Sequence, residues 1–179
     1  MKRVSTMIAA AGVTLAALAF GSPVATPAGA TPTPRAVTAD CTPAQLRLSI
    51  GRANGAAGTI YYPIIFTNRG AACWIWGVPG VQAVVGTAHH PQGPPAKNEN
   101  VGEMPARHEL RHGAAVSAAF GVAESGNFPV ATCRPRNASG VRVTLAPFIY
   151  PTYLALRISV CTRRTSTYTQ LLVAGRTGA

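Results

Sequence analysis

The segment TIYYPIIFTN, Thr59–Asn68, is apolar at most of its odd and even positions. Successive side chains of a β-strand point to opposite faces, so a strand with two apolar faces must be covered on both sides. The segment therefore predicts a central strand, and Pro63, which has no backbone N–H group, predicts a bulge or a sheet edge within it.

Seven further short runs are apolar or alternate between apolar and polar residues, and Gly, Pro, Asn and Ser separate them. Short strands divided by turn residues are typical of an all-β fold, here a single antiparallel β-sandwich. Only the alanine-rich stretch 106–123 also fits a helix. The seven runs are 45–50, 73–77, 81–85, 114–122, 141–146, 154–160 and 168–173.

The first thirty residues have the pattern of an export signal. Lys2 and Arg3 precede an apolar run, 7–20, and the sequence AGA at 28–30 provides a small-x-small cleavage site. We therefore predict that residues 1–30 are a signal peptide.

The mature chain would begin with TPTP at 31–34, and residues 31–40 lack apolar periodicity. They predict a flexible leader before a β-sandwich domain at 41–179. The run in the signal is shorter than the about 20 residues that a membrane span needs, and no second run approaches that length. No cysteine is present at the cleavage site to carry a lipid. The sequence thus predicts a secreted or envelope-associated chain with no transmembrane anchor.

The cysteines lie beyond the predicted signal and are even in number. In an exported chain this pattern favours two disulfides. No Cys-x-x-Cys pair is present, so the spacing suggests neither a zinc ribbon nor a thioredoxin-like site. The four are Cys41, Cys73, Cys133 and Cys161.

Two tryptophans alternate with apolar residues in CWIW, 73–76. If Cys73 and Ile75 face the core of a strand, Trp74 and Trp76 share the opposite face, about 6–7 Å apart. Such a pair is a candidate binding platform for sugar rings or for an apolar partner surface. The alternative is that a long loop, 87–102, covers both indoles.

The sequence HELRH, 108–112, matches the His-Glu-x-x-His pattern of zinc peptidases. On a helix His108 and His112 would share one face and bind zinc, with Glu109 as the general base. The flanking Pro105 and Gly113 argue against such a helix, and the residues before His108 form no apolar helix face. We therefore predict a loop with no metal, and retain a zinc-dependent hydrolase only as the alternative.

Charge is the most general clue to a partner. Removal of Lys2 and Arg3 with the signal lowers the formal charge from +11 to +9. A nucleic-acid partner would suit this sign, but not export or the absence of a known nucleic-acid-binding module. Anionic envelope polymers and lipid headgroups suit both the charge and the location, and a purely solubilising role remains the alternative.

Several short motifs occur in an order that resembles the secreted actinobacterial family catalogued as domain of unknown function 4232. The resemblance runs from Cys41 to about Val173 and includes Cys73, Cys133 and Cys161. The motifs are NGAAG at 54–58, FTN at 66–68, GVPGV at 77–81, LRHG at 110–113 and VRVTLAP at 141–147.

The resemblance implies an immunoglobulin-like β-sandwich at the cell envelope and brings no established activity with it. It also implies that Cys41 pairs with Cys73 and Cys133 with Cys161. Segment 110–113 is similar to a turn of the family that leads into a strand. Relatives usually have small polar residues in place of Trp74 and Trp76.

Together these observations predict an exported, non-catalytic binding protein that requires no cofactor. The predicted partner is an anionic envelope glycan or a protein displayed at the surface, contacted through Trp74 and Trp76 with arginines around them.

Overall fold

The computed structural model describes residues 38–178, which form a mostly β structure with two disulfides. The predicted signal peptide and residues 31–37 of the predicted leader lie outside this range. The strands are β1 (Leu46–Ile50), β2 (Asn54–Ala56), β3 (Thr59–Asn68), β4 (Cys73–Ile75), β5 (Gly80–Val85), β6 (His90–Pro91), β7 (Lys97–Asn98), β8 (His108–Leu110), β9 (Ala115–Ala123), β10 (Pro135–Leu145), β11 (Ile149–Cys161), β12 (Thr167–Thr169) and β13 (Val173–Ala174). The helices between residues 38 and 178 are one α-helix, α1 (Val130–Cys133), and two 3₁₀ turns, Pro43–Gln45 and Ser125–Asn127.

The first sheet has the order β1-β3-β9-β12-β7, with β2 also paired to β3 and β13 to β9. Strand β3 pairs along its length with β9 on one side and with β1 and β2 on the other, so the prediction of a central strand is confirmed. The second sheet has the order β11-β10-β5-β6, and β4 and β8 form a separate pair.

Pro63 lies where the strand beside β3 is interrupted. Between the pairs Ile50↔Ile64 and Asn54↔Tyr61, three residues of the neighbouring segment lie opposite two of β3. This one-residue excess is an irregularity of the bulge type, as expected beside a strand proline.

The hydrophobic core draws on both large sheets. Side chains from β3 and β9 cluster with side chains from β5, β10 and β11, as in the two-layer arrangement that a sandwich requires. The bulkiest fully buried side chains include Phe66, Phe120 and Phe148.

The prediction that every pairing is antiparallel is wrong in two places. Strands β7 and β12 pair in parallel, and Asp40 forms a parallel bridge with Trp74. Hairpins force antiparallel pairing, but four strands separate β7 from β12 along the chain, so no hairpin fixes their direction.

The alanine-rich stretch 106–123 forms β8, a turn at His112 and Gly113, and β9, and contains no helix. Residues 116–123 are all buried because β9 lies between β3 and the pair β12 and β13. Tertiary pairing therefore overrides the helix propensity of alanine.

Both predicted disulfides are confirmed. Cys41 is bonded to Cys73, with their Cα atoms 4.8 Å apart, and Cys133 to Cys161, with their Cα atoms 4.5 Å apart.

Candidate functional site

Strand β4 has the two faces that its sequence predicts. Cys73 and Ile75 are 1% and 0% exposed, whereas Trp74 and Trp76 are half-buried. The alternation assigns Cys73 and Ile75 to the core and Trp74 to the opposite side. Trp76 follows the end of β4 and also packs against core residues.

Two segments flank β4. On one side the backbone N–H of Trp74 donates to the carbonyl of Ala39, and the backbone N–H of Cys41 donates to the carbonyl of Trp74. On the other side β8 pairs antiparallel with β4, with Glu109 directly opposite Trp74. Pairing thus extends to Ala39 and Asp40, within the last part of the predicted leader.

Arg107 lies over both indoles. Its guanidinium carbon is 4.5 Å from the centroid of Trp76 and 5.3 Å from that of Trp74, within range of cation–π attraction. The guanidinium also donates a hydrogen bond of 2.9 Å to a carboxylate oxygen of Asp40, and the two side chains are 55% and 51% exposed. We call Asp40, Trp74, Trp76, Arg107 and Glu109 the tryptophan patch.

The two indoles differ in how they are held. Trp76 meets Phe148 edge to face, with ring centroids 4.6 Å apart, and packs against the core.

The loop 87–102, which was the predicted alternative cover for the indoles, forms β6 and β7, which pair with β5 and β12. The ring contacts that the described residues make with the indoles are those of Arg107 with both and of Phe148 with Trp76.

Carboxylates share the tryptophan face. Asp40 forms a backbone β-bridge with Trp74, and Glu109 is the cross-strand partner of Trp74. Directly paired residues project to the same side of a sheet. Thr38 donates a hydrogen bond of 3.4 Å to Glu109. Several arginines were predicted around the indoles. The structure places one guanidinium, that of Arg107, over both rings, and the carboxylates of Asp40 and Glu109 lie on the same face.

Sequence reasoning found both tryptophans but missed Arg107 and Asp40. These two residues reach the indoles through pairings of β4 with distant parts of the chain. A paired-strand interpretation of HELRH would have placed Arg107 beside Trp76, because His108 lies opposite Ile75.

The HELRH segment does not have the geometry of a zinc peptidase motif. His108 belongs to β8 and its Nε2 lies 2.9 Å from the carbonyl oxygen of Leu172. His112 lies in the following turn, with Nδ1 3.3 Å from the carbonyl oxygen of Gly70. Within residues 38–178, no group of three or more His, Cys, Asp or Glu side chains is placed to hold a metal ion.

This geometry predicts that protein purified without added metal holds far less than one zinc per chain. Elemental analysis should give the same low content for the wild type and for His112→Ala, because the histidines contact separate carbonyl groups. Stoichiometric zinc that is lost in His112→Ala, together with peptidase activity that is lost in Glu109→Ala, would establish the hydrolase instead.

None of the helices in the described part of the chain has the length and hydrophobicity that a membrane span requires.

The fold and patch define a class of protein: a disulfide-stabilised β domain that presents an aromatic and charged surface beside one of its disulfides. The model of the family described as domain of unknown function (DUF4232) matches residues 41–172, and the chain belongs to this family. Neither the curated proteins nor the solved structures contain a match.

Proposed function

We propose that this chain is an exported, non-catalytic recognition protein with an immunoglobulin-like sandwich fold, and that the tryptophan patch binds a protein partner. The observation that carries the proposal is the position of the exposed Arg107 guanidinium over the half-buried indoles of both Trp74 and Trp76.

The composition of the patch supports recognition. Tryptophan and arginine are the residue types most often found to dominate binding energy at protein interfaces. Here Arg107 is held by Asp40 and Trp76 by Phe148, so part of the ordering cost of binding is met before a partner arrives.

The charges favour a protein over an anionic glycan as the partner. Asp40 and Glu109 are two of the five acidic residues in the whole sequence, and both lie beside Trp74. They would repel a polyanion, whereas a protein surface can supply donors or basic side chains to each carboxylate. Mixed charges around an aromatic centre are the usual anatomy of a protein interface.

The disulfides support export. Structural disulfides form and persist outside the reducing cytosol, and both pairs in this chain are formed.

The test uses the wild type, Trp74→Ser/Trp76→Ser, and the control Val101→Ser/Met104→Ser. Val101 and Met104 are 79% and 92% exposed, so the control removes a similar number of apolar side chains outside the patch. A partner is isolated from a whole envelope extract of the producing organism, which contains both proteins and polysaccharides, then purified and titrated against each variant by calorimetry.

We expect the tryptophan variant to bind at least about 30-fold more weakly, because truncation of an anchor costs about 2 kcal/mol or more. The control should bind like the wild type. Equal affinity of all three folded proteins, or a partner that is a polysaccharide, would reject the proposal.

A further inference from the structure

We infer that the solvent-facing side of the second sheet is a separate binding site for a saccharide that carries carboxylate or phosphate groups. The residues involved lie on β5, β10 and β11, and the inference does not depend on the proposed function of the tryptophan patch. We call this side the outer face.

A row of polar and aromatic side chains crosses three strands of this sheet. Arg142 lies directly opposite Gln82 on β5 and opposite Tyr153 on β11. Directly paired residues project to the same side, so the guanidinium and the phenol share the outer face.

The aromatic part of the outer face is a layered stack. A Cβ atom at Gly140 would overlap the Tyr153 ring, so glycine is needed for this ring to lie against the sheet. His89 stacks on Tyr153 with centroids 4.0 Å apart and an interplanar angle of 9°. The Tyr153 hydroxyl donates a hydrogen bond of 3.1 Å to the carbonyl of Ser139.

His89 holds a backbone conformation that is uncommon for a non-glycine residue, with φ of 52°. His89 is the last residue of the turn 86–89 between β5 and β6. Here the conformation brings the imidazole onto Tyr153, which gives the stack a polar outer ring.

A cleft of about 460 Å³ opens next to this stack, within the size range of small-molecule sites. The pairing of β10 with β11 shifts by one residue between Ala138 and Gly140, and Ser139 borders the cleft at that irregularity. Bulges often occur beside functional sites, where they redirect side chains. The lining residues are Val85, Asn137, Ala138, Ser139, Arg157, Ile158 and Ser159.

Two polar side chains of the cleft, those of Arg157 and Asn137, are free to bind a ligand. Neither side chain makes a hydrogen bond or an ion pair with another residue between 38 and 178. Both are exposed, so water satisfies them until a ligand replaces it. Ser159 and Ser139 also line this wall, but their hydroxyls already bond to the Ser125 hydroxyl and the Val84 carbonyl. Each retains acceptor capacity for a ligand hydroxyl.

These groups define the ligand by its chemistry. A guanidinium matches the two oxygens of a carboxylate or phosphate, and amide and hydroxyl groups match the hydroxyls of a sugar. The aromatic stack offers a flat face to the C–H groups of a pyranose ring. A second guanidinium, Arg142, lies farther along the outer face and suits a polymer with repeated anionic groups.

Glu124 lines a smaller neighbouring cavity of about 280 Å³ that also touches Arg157. It forms no ion pair with Arg157 in the described range. The Arg157 guanidinium is therefore not neutralised by an ion pair with Glu124.

The test measures calorimetric binding of oligogalacturonate, dextran phosphate, neutral dextran and inorganic phosphate. The variants are Arg142→Gln/Arg157→Gln, the single change Arg157→Gln, and the charge-matched control Arg47→Gln/Arg52→Gln. Both control residues are exposed, Arg47 within β1 of the first sheet and Arg52 just after it. Thermal unfolding confirms that each variant is folded.

We expect at least one acidic saccharide to bind the wild type and the control equally. Loss of one charge-assisted contact should weaken binding about tenfold in Arg157→Gln and further in the double variant. Which acidic saccharide binds distinguishes carboxylate from phosphate recognition.

The inference is overturned if neither acidic saccharide binds, if neutral dextran or inorganic phosphate binds as tightly, or if the control pair weakens binding as much as the outer-face pair. None of these results bears on the tryptophan patch, whose variants leave Arg142 and Arg157 intact.

Discussion

The double change Cys41→Ala/Cys73→Ala should lower the free energy of unfolding by about 3–4 kcal/mol. The bond closes a loop between residues 32 positions apart, and its loss returns that conformational freedom to the unfolded chain. Chemical denaturation of both proteins under non-reducing conditions measures the difference.

This disulfide also positions the patch, because Cys41 follows Asp40 and Cys73 precedes Trp74. Its loss should loosen Asp40 from Arg107 and change the tryptophan emission of the folded protein. The chain has two tryptophans, Trp74 and Trp76, so intrinsic fluorescence reports on the patch alone.

The matched control is Cys133→Ala/Cys161→Ala, whose cysteines are 28 positions apart. It should cost a similar free energy and leave tryptophan emission unchanged. If the two double variants change stability and tryptophan emission by the same amounts, the Cys41–Cys73 bond has no role in positioning Asp40.

Phe148→Ala should lower the free energy of unfolding by about 3–5 kcal/mol. Its side chain is fully buried, and truncation leaves a cavity that the surrounding core fills only in part. The change also removes the edge-to-face support of Trp76, so folded Phe148→Ala should show altered tryptophan emission.

Phe120→Ala is the control, because Phe120 is equally buried and has no ring contact with either indole in the described range. The two variants should be similarly destabilised, as denaturation measures, but Phe120→Ala should keep the wild-type emission. Identical emission in both variants would contradict the role of Phe148 as the support of Trp76.

Local pattern was sufficient to predict the long strands. Each of the eight predicted runs contains a strand, because a buried or half-buried strand imposes apolar periodicity on its own residues. The two- and three-residue strands β2, β6, β7 and β8 were missed, since so few residues carry no periodicity. Strands β7 and β8 pair with segments distant in the chain, whereas β2 and β6 each form a hairpin with a neighbouring strand.

For the candidate site too, the features set by local pattern could be predicted and those set by long-range pairing could not. The alternation in CWIW was enough to place Trp74 and Trp76 on one face. The contacts of Arg107 and Asp40 depend on which segments flank β4, and strand pairing between distant segments leaves no local trace. The parallel pairing of β7 with β12 was unpredictable for the same reason.

The most direct test of the tryptophan patch is ¹⁹F NMR of protein labelled with 5-fluorotryptophan. The two labelled positions are Trp74 and Trp76, and an unlabelled partner contributes no signal. The protein is titrated with the partner purified from the envelope, while calorimetry measures the same binding independently. Both resonances should shift or broaden and saturate at the calorimetric stoichiometry, and binding that leaves both unchanged would contradict the proposal.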